Sequence, residues 1–66
     1  MVRFVKISRE IIEAIRKGHH TLDEIIIYVT SRTDVDERII RGIITRMVKK
    51  GEILKIGERY ILNEKR

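Results

Sequence analysis

The sequence predicts an α+β domain of three helices followed by a C-terminal β-hairpin, with a strand or arm ahead of the first helix. Two observations carry that expectation. Up to Gly51 the apolar residues recur at helical spacing in three runs, each opening on a capping residue. Beyond Gly51 the apolar period falls to two, and Gly57 sits where a tight hairpin turn needs a positive φ.

In chain order, residues 2–7 set Val2, Phe4 and Lys6 against Arg3, Val5 and Ile7, with β-branched residues throughout, and predict a short strand or extended arm. Ser8 is the expected N-cap of a first helix over residues 9–17. Ile11, Ile12 and Ile15 form its apolar stripe, Ile7 staples its entry and Gly18 ends it. Thr21 and Glu24 then have the spacing of a capping box, which opens a second helix over residues 22–30 that buries Leu22, Ile25, Ile26 and Val29.

Residues 31–34 read as a polar turn. Asp36 caps a third helix, Val35 packs into the core just before it, and Ile40, Ile44, Met47 and Val48 carry the stripe to Gly51. Ile53 and Lys55, then Tyr60 and Leu62, supply the hairpin's alternation. The expected order is β-α-α-α-β-β.

Sixty-six residues supply one domain, spanning 1–66. A chain of this size buries only about 60% of its unfolded surface. With no cysteine it has neither disulfides nor cysteine-ligated metal to help. No stretch nears the roughly 20 apolar residues of a membrane span, and no secretion signal opens the chain, so the expectation is a cytoplasmic protein, nucleoid-associated should it bind DNA. Fifteen Lys+Arg against ten Asp+Glu give a net charge of +5, a balance that favours polyanionic partners. Abundant Ile, Glu, Lys and Arg, no glutamine and a single asparagine, Asn63, fit a thermophilic source.

The stretch VDERIIRGIITRMVKKGEI resembles the recognition helix and wing entry of winged helix-turn-helix transcription regulators, of the small archaeal or archaeal-virus type. Val35, Asp36, Ile40, Ile44, Met47, Lys50, Gly51 and Ile53 occupy the family's apolar, capping and Lys-Gly-apolar positions. Thr21 to Ile25 resemble the start of its second helix, and together the likeness spans roughly residues 8–62. The turn over residues 31–34 is longer and more polar than the tight glycine turn of simple helix-turn-helix proteins, which points to the winged branch.

The resemblance implies a sequence-specific double-stranded DNA-binding protein, a repressor by promoter occupancy, with its third helix in the major groove and its wing on the minor groove or backbone. With Ile40, Ile44 and Met47 inward, that helix turns Glu37, Arg38, Arg41, Gly42, Thr45 and Arg46 outward. Arginine bridges guanine O6 and N7, so Arg38, Arg41 and Arg46 are candidates for base contacts. Gly42 either lets the backbone approach a duplex or packs closely on the first helix. Thr45 suits a phosphate or a thymine methyl. Lys49 and Lys50 suit phosphates and equally the negative end of the helix dipole, and Glu37 suits the positive end. Ser31, Arg32 and Thr33 are phosphate donors in the turn. Lys55 and Arg59 flank Gly57 on the wing, where Ile56 is expected to pack back on the hairpin.

Other constellations have plainer readings. Adjacent His19 and His20 diverge and lack a third ligand, so no metal is expected. Asp23-Glu24 and Asp34-Asp36-Glu37 sit at helix N-termini, where capping explains them. No nucleophile triad or phosphate loop is present, so neither an enzyme nor a cofactor or small-molecule substrate is expected. Tyr28 and Tyr60 are too few for a base-stacking platform, and Tyr60 is expected over the core.

The apolar inventory exceeds what one small core readily hides. Phe4 and Val5 on the arm, Ile27 and Tyr28 on the second helix, and Leu54 and Ile61 on the outer hairpin face are expected at a homodimer interface, with the arm's free strand edge as a further reason, unless the arm folds over its own sheet and covers Leu54 and Ile61. The alternatives are a winged helix that docks other proteins in a larger assembly, and a non-specific DNA-coating chromatin protein.

Overall fold

The computed structural model describes residues 4–63, with side chains from residue 6 onward. It is an α+β fold: helices α1 (Phe4–Arg16), α2 (Leu22–Arg32) and α3 (Glu37–Lys50), then strands β1 (Ile53–Ile56) and β2 (Arg59–Leu62). Three predicted helices and the C-terminal hairpin are present in the predicted order. Over residues 4–7, the described part of the predicted strand, there is helix instead.

From Phe4 the chain is already helical. Residues 2 and 3, and the side chains of Phe4 and Val5, lie outside the described residues. Ser8 is therefore a residue within α1 and not its N-cap. The apolar stripe reaches back by fours and threes from Ile15 through Ala14 and Ile11 to Ile7, and all four are buried. A short β-branched run satisfies either period, and burying Ile7 with Ile11 decides in favour of the helix. With residues 4–7 helical, the free strand edge invoked for a homodimer is missing there.

Gly18, at φ 100°, ends α1: its N–H bonds the carbonyl of Ile15 at 3.0 Å and that of His19 bonds Ala14 at 2.9 Å. These are the two hydrogen bonds of a Schellman motif. The same pair ends α3, where Gly51 at φ 82° donates to Val48 and Glu52 donates to Met47.

The capping box of α2 forms as predicted. Glu24 N–H donates to Thr21 Oγ1 at 3.3 Å, and the Glu24 carboxylate reaches back to the N–H groups of Thr21 and His20. The helix runs through Ser31 and Arg32, two residues past the predicted end. Ser31 Oγ donates to the Tyr28 carbonyl at 2.7 Å, while Arg32 pairs with Glu10 of α1 at 2.7 Å and lies over the Tyr28 ring. Those contacts make helix out of a segment whose polarity alone reads as a turn. The actual connection, residues 33–36, is closed by Thr33, whose hydroxyl donates to Val29 O and accepts from Val35 N–H.

The hairpin pairs Ile53 with Leu62, Leu54 with Ile61, Lys55 with Tyr60 and Ile56 with Arg59. Gly57, at φ 63°, is the first of two turn residues and Glu58 has no positive φ, the pattern of a type II′ turn. A single bridge lies on the other edge of β2: Thr21 bridges Arg59, and Tyr60 N–H donates to His20 O at 2.7 Å. The sheet is thereby tied to the start of α2.

All five elements meet in one core. Ile11, Ile25, Val29, Ile40, Ile44 and Ile53 are its largest fully buried side chains, Met47 is buried with them, and Tyr60 lies at its margin. Each buried aliphatic of this size contributes about 1.5–3 kcal/mol. No helix among the described residues is long and apolar enough to cross a membrane.

Candidate nucleic-acid interface

Helix α3 divides cleanly into two faces. Ile40, Ile43, Ile44 and Met47 are buried, Ile43 in addition to the predicted stripe. Opposite them Arg38, Gly42, Thr45 and Lys49 follow one another at spacings of four, three and four, which sets them in a line along the helix. Arg41 and Arg46 flank that line, and all six residues are exposed.

Local chemistry fixes this arrangement. Asp36 Oδ2 accepts from Arg38 N–H at 3.3 Å and starts the helix with the predicted cap. Glu37 pairs with Arg41 one turn on, at 2.7 Å, both about half exposed. Thr45 Oγ1 donates to the Arg41 carbonyl at 3.1 Å. Among the described residues Arg38, Arg46 and Lys49 join no ion pair.

Gly42 separates its two readings. A Cβ built there meets no atom within 4 Å, so packing against α1 does not require glycine. A glycine inside a helix costs about 1 kcal/mol relative to alanine. Here nothing within the described chain offsets that cost. Beside it, Ile39, Ile43 and Arg46 border a shallow notch of about 230 Å³.

The remaining predicted contacts are dispersed. Arg32 is tied to Glu10, which also holds the guanidinium above its usual range, chiefly by hydrogen bonding and then by charge. Ser31 and Thr33 spend their hydroxyls on backbone carbonyls of their own helix. Lys55 and Arg59 are exposed, but strand alternation sends them to opposite faces of the hairpin: Lys55 opposite Tyr60 and Arg59 opposite Ile56. Lys55 borders a shallow depression with Thr21, Asp23 and Glu58. Ile56 does not pack back on the hairpin; it is 59% exposed at the tip, on the same face as Leu54 and Ile61.

The apolar residues expected at a dimer interface divide too. Ile27 is 67% exposed on α2. Tyr28 is half-buried against the core, 5.2 Å from the His19 ring and beneath Arg32. His20 Nδ1 lies 3.1 Å from Tyr60 O, so each histidine has a place in the frame. The Glu24 carboxyl is held below its ordinary value by the backbone N–H groups of Thr21, then of His20.

Three features escaped sequence reasoning. The bridge at His20-Thr21 spans too few residues to show a period. Ile39, 38% exposed beside Gly42, falls outside the inward stripe and carried no signal of its own. Arg9 shares a groove with α3, a meeting of two elements that no local spacing shows. No protein-family model, curated protein or solved structure matches the chain.

Proposed function

We propose that this chain is a winged-helix protein that binds double-stranded DNA sequence-specifically and regulates transcription by occupying a promoter. In this reading α3 enters the major groove and the hairpin is the wing. The observation that carries it is Gly42: a helix-interior glycine, unneeded by the fold, at the centre of an exposed face that holds Arg38, Arg41, Arg46 and Lys49. A bare backbone there lets a duplex come close, while the arginines reach base edges on either side. Thr45, its hydroxyl engaged within the helix, offers a methyl to thymine. Because Lys55 and Arg59 leave opposite faces of the hairpin, one of the two, not both, meets the backbone or minor groove.

The test is fluorescence anisotropy of the protein on a random-sequence duplex and on its own upstream DNA across salt. A log–log slope of about 0.9 per neutralised phosphate counts the backbone contacts. Preference for the upstream duplex by roughly a thousandfold or more marks a sequence-specific regulator. Equal binding to both marks a DNA-coating protein instead. A second reading has its own support: the exposed outer hairpin face of Leu54 and Ile56 suits docking on a larger protein assembly, with little salt dependence and no loss on Arg38→Ala.

A further inference from the structure

Two surfaces away from the outward line of α3 match each other. One is a groove of about 330 Å³ between α1 and α3, floored by Ile12, Ile43 and Met47 and bordered by Arg9, Arg46 and Lys50, with Glu52 the one acid and Ser8 the one hydroxyl on its edge. The other is the outward face of α2. There Ile27 stands 67% exposed, the most exposed large apolar side chain among the described residues. Asp23 and Glu24 precede it by four and three residues, which puts both acids beside it on that face. Both are exposed, and Glu24 is held in its ionised form by the α2 cap.

An apolar knob with two acids one turn N-terminal to it thus faces outward on one side, and an apolar-floored groove bordered by three cations opens on another. We infer that the α2 face of one copy of this chain seats in the α1–α3 groove of a second copy, with Ile27 on Ile12 and Ile43 and the acids against Arg9 and Lys50. The occupant is a second copy because the chain itself carries the complement of the groove in apolar character and in sign of charge. Such a contact joins different surfaces, so it repeats from copy to copy unless its rotation closes a dimer or ring. It stands without the DNA reading, with which it shares only Arg46, at the edge of both surfaces.

Sedimentation equilibrium of the DNA-free protein, from micromolar to millimolar concentration, tests this with three variants. Ile27→Asp removes the knob, Ile27→Leu keeps it, and the double variant Arg9→Glu, Lys50→Glu reverses the groove's charge. All are surface changes whose helix content circular dichroism checks. The wild-type mass is expected to rise above the monomer with concentration and the Leu variant to follow it. Ile27→Asp and the groove variant should each weaken association by about tenfold or more. An equimolar mixture of those two should associate again, since one supplies an intact knob and the other an intact groove. A mass that stays monomeric at millimolar wild-type protein overturns the proposal. So does association that survives either the knob or the groove change undiminished.

Discussion

The two faces of α3 are built from the same helix by different rules. On the inward face each position is answered within the molecule: Ile40 and Ile44 are 0% and 2% exposed and belong to the core that the three helices and the hairpin share. On the outward face the answers are missing. Arg38 joins no ion pair among the described residues, Lys49 answers only the helix dipole, and Gly42 counts against the helix. Residues that stability does not explain, in a line along one exposed face, are where a partner is expected to supply the reason. Mutation can separate the two faces.

The largest effect belongs to the inward face. Ile44→Ala opens a cavity in the core shared by the three helices and the hairpin and should cost about 2–5 kcal/mol in urea unfolding. For a domain this small that is a large share of its total stability. A loss below the range of an exposed substitution would mean that Ile44 is not the core residue its burial implies.

On the outward face the effect should move from stability to binding. Arg38→Ala is expected to leave unfolding within about 0.5 kcal/mol of wild type. On DNA it should cost about 1–3 kcal/mol and relax preference at one base pair. Arg41→Ala should lose less, because Arg41 must first give up its ion pair with Glu37. If both arginines affect unfolding and neither affects anisotropy, the contrast between the faces has nothing to do with DNA.

The two glycines of this stretch sharpen the contrast further. Gly51 sits at φ 82°, where an L side chain is strained, so Gly51→Ala should destabilise by about 1–2 kcal/mol. Gly42 is helical with open space around it, so Gly42→Ala should stabilise by about 1 kcal/mol and still weaken DNA binding. Thermal melts and anisotropy on the same samples read both quantities. A Gly42→Ala protein that gains stability and keeps full affinity would remove the close-approach role.

Much of this frame was legible in the sequence because its signals are local. The Thr21–Glu24 box, the Asp36 cap and the glycines at 18, 51 and 57 each act over a few residues, and each appears where the spacing puts it. What was not legible depends on residues far apart in the chain. Residues 4–7 are helical because Ile7 joins a core assembled from α2, α3 and the hairpin. Ser31 and Arg32 are helical because, in part, Glu10 waits across on α1. The exposed face of α3 was legible from periodicity, whereas the separation of Lys55 from Arg59 followed only from the hairpin's register.

The smallest effect lies in the frame that holds the two faces in place. The Glu24 carboxylate accepts N–H groups from Thr21 and His20, and this depresses its folded-state pKa below the ordinary 4.5. Above that value the carboxylate is ionised in both states, and its stabilising contribution is complete. As pH falls through it the unfolded chain takes up the proton first, and stability drains until the folded carboxyl is protonated too. Glutamine still accepts from both N–H groups but does not titrate. Glu24→Gln should therefore flatten this part of the acid limb of a stability–pH profile, by a modest amount because the group is exposed. Urea midpoints measured below pH 4.5 read the difference, and superimposed profiles would mean the cap carries no ionic component. The same variant should leave the salt slope of DNA binding at neutral pH unchanged, because His20 and Thr21 anchor β2 through backbone bonds that the substitution does not touch.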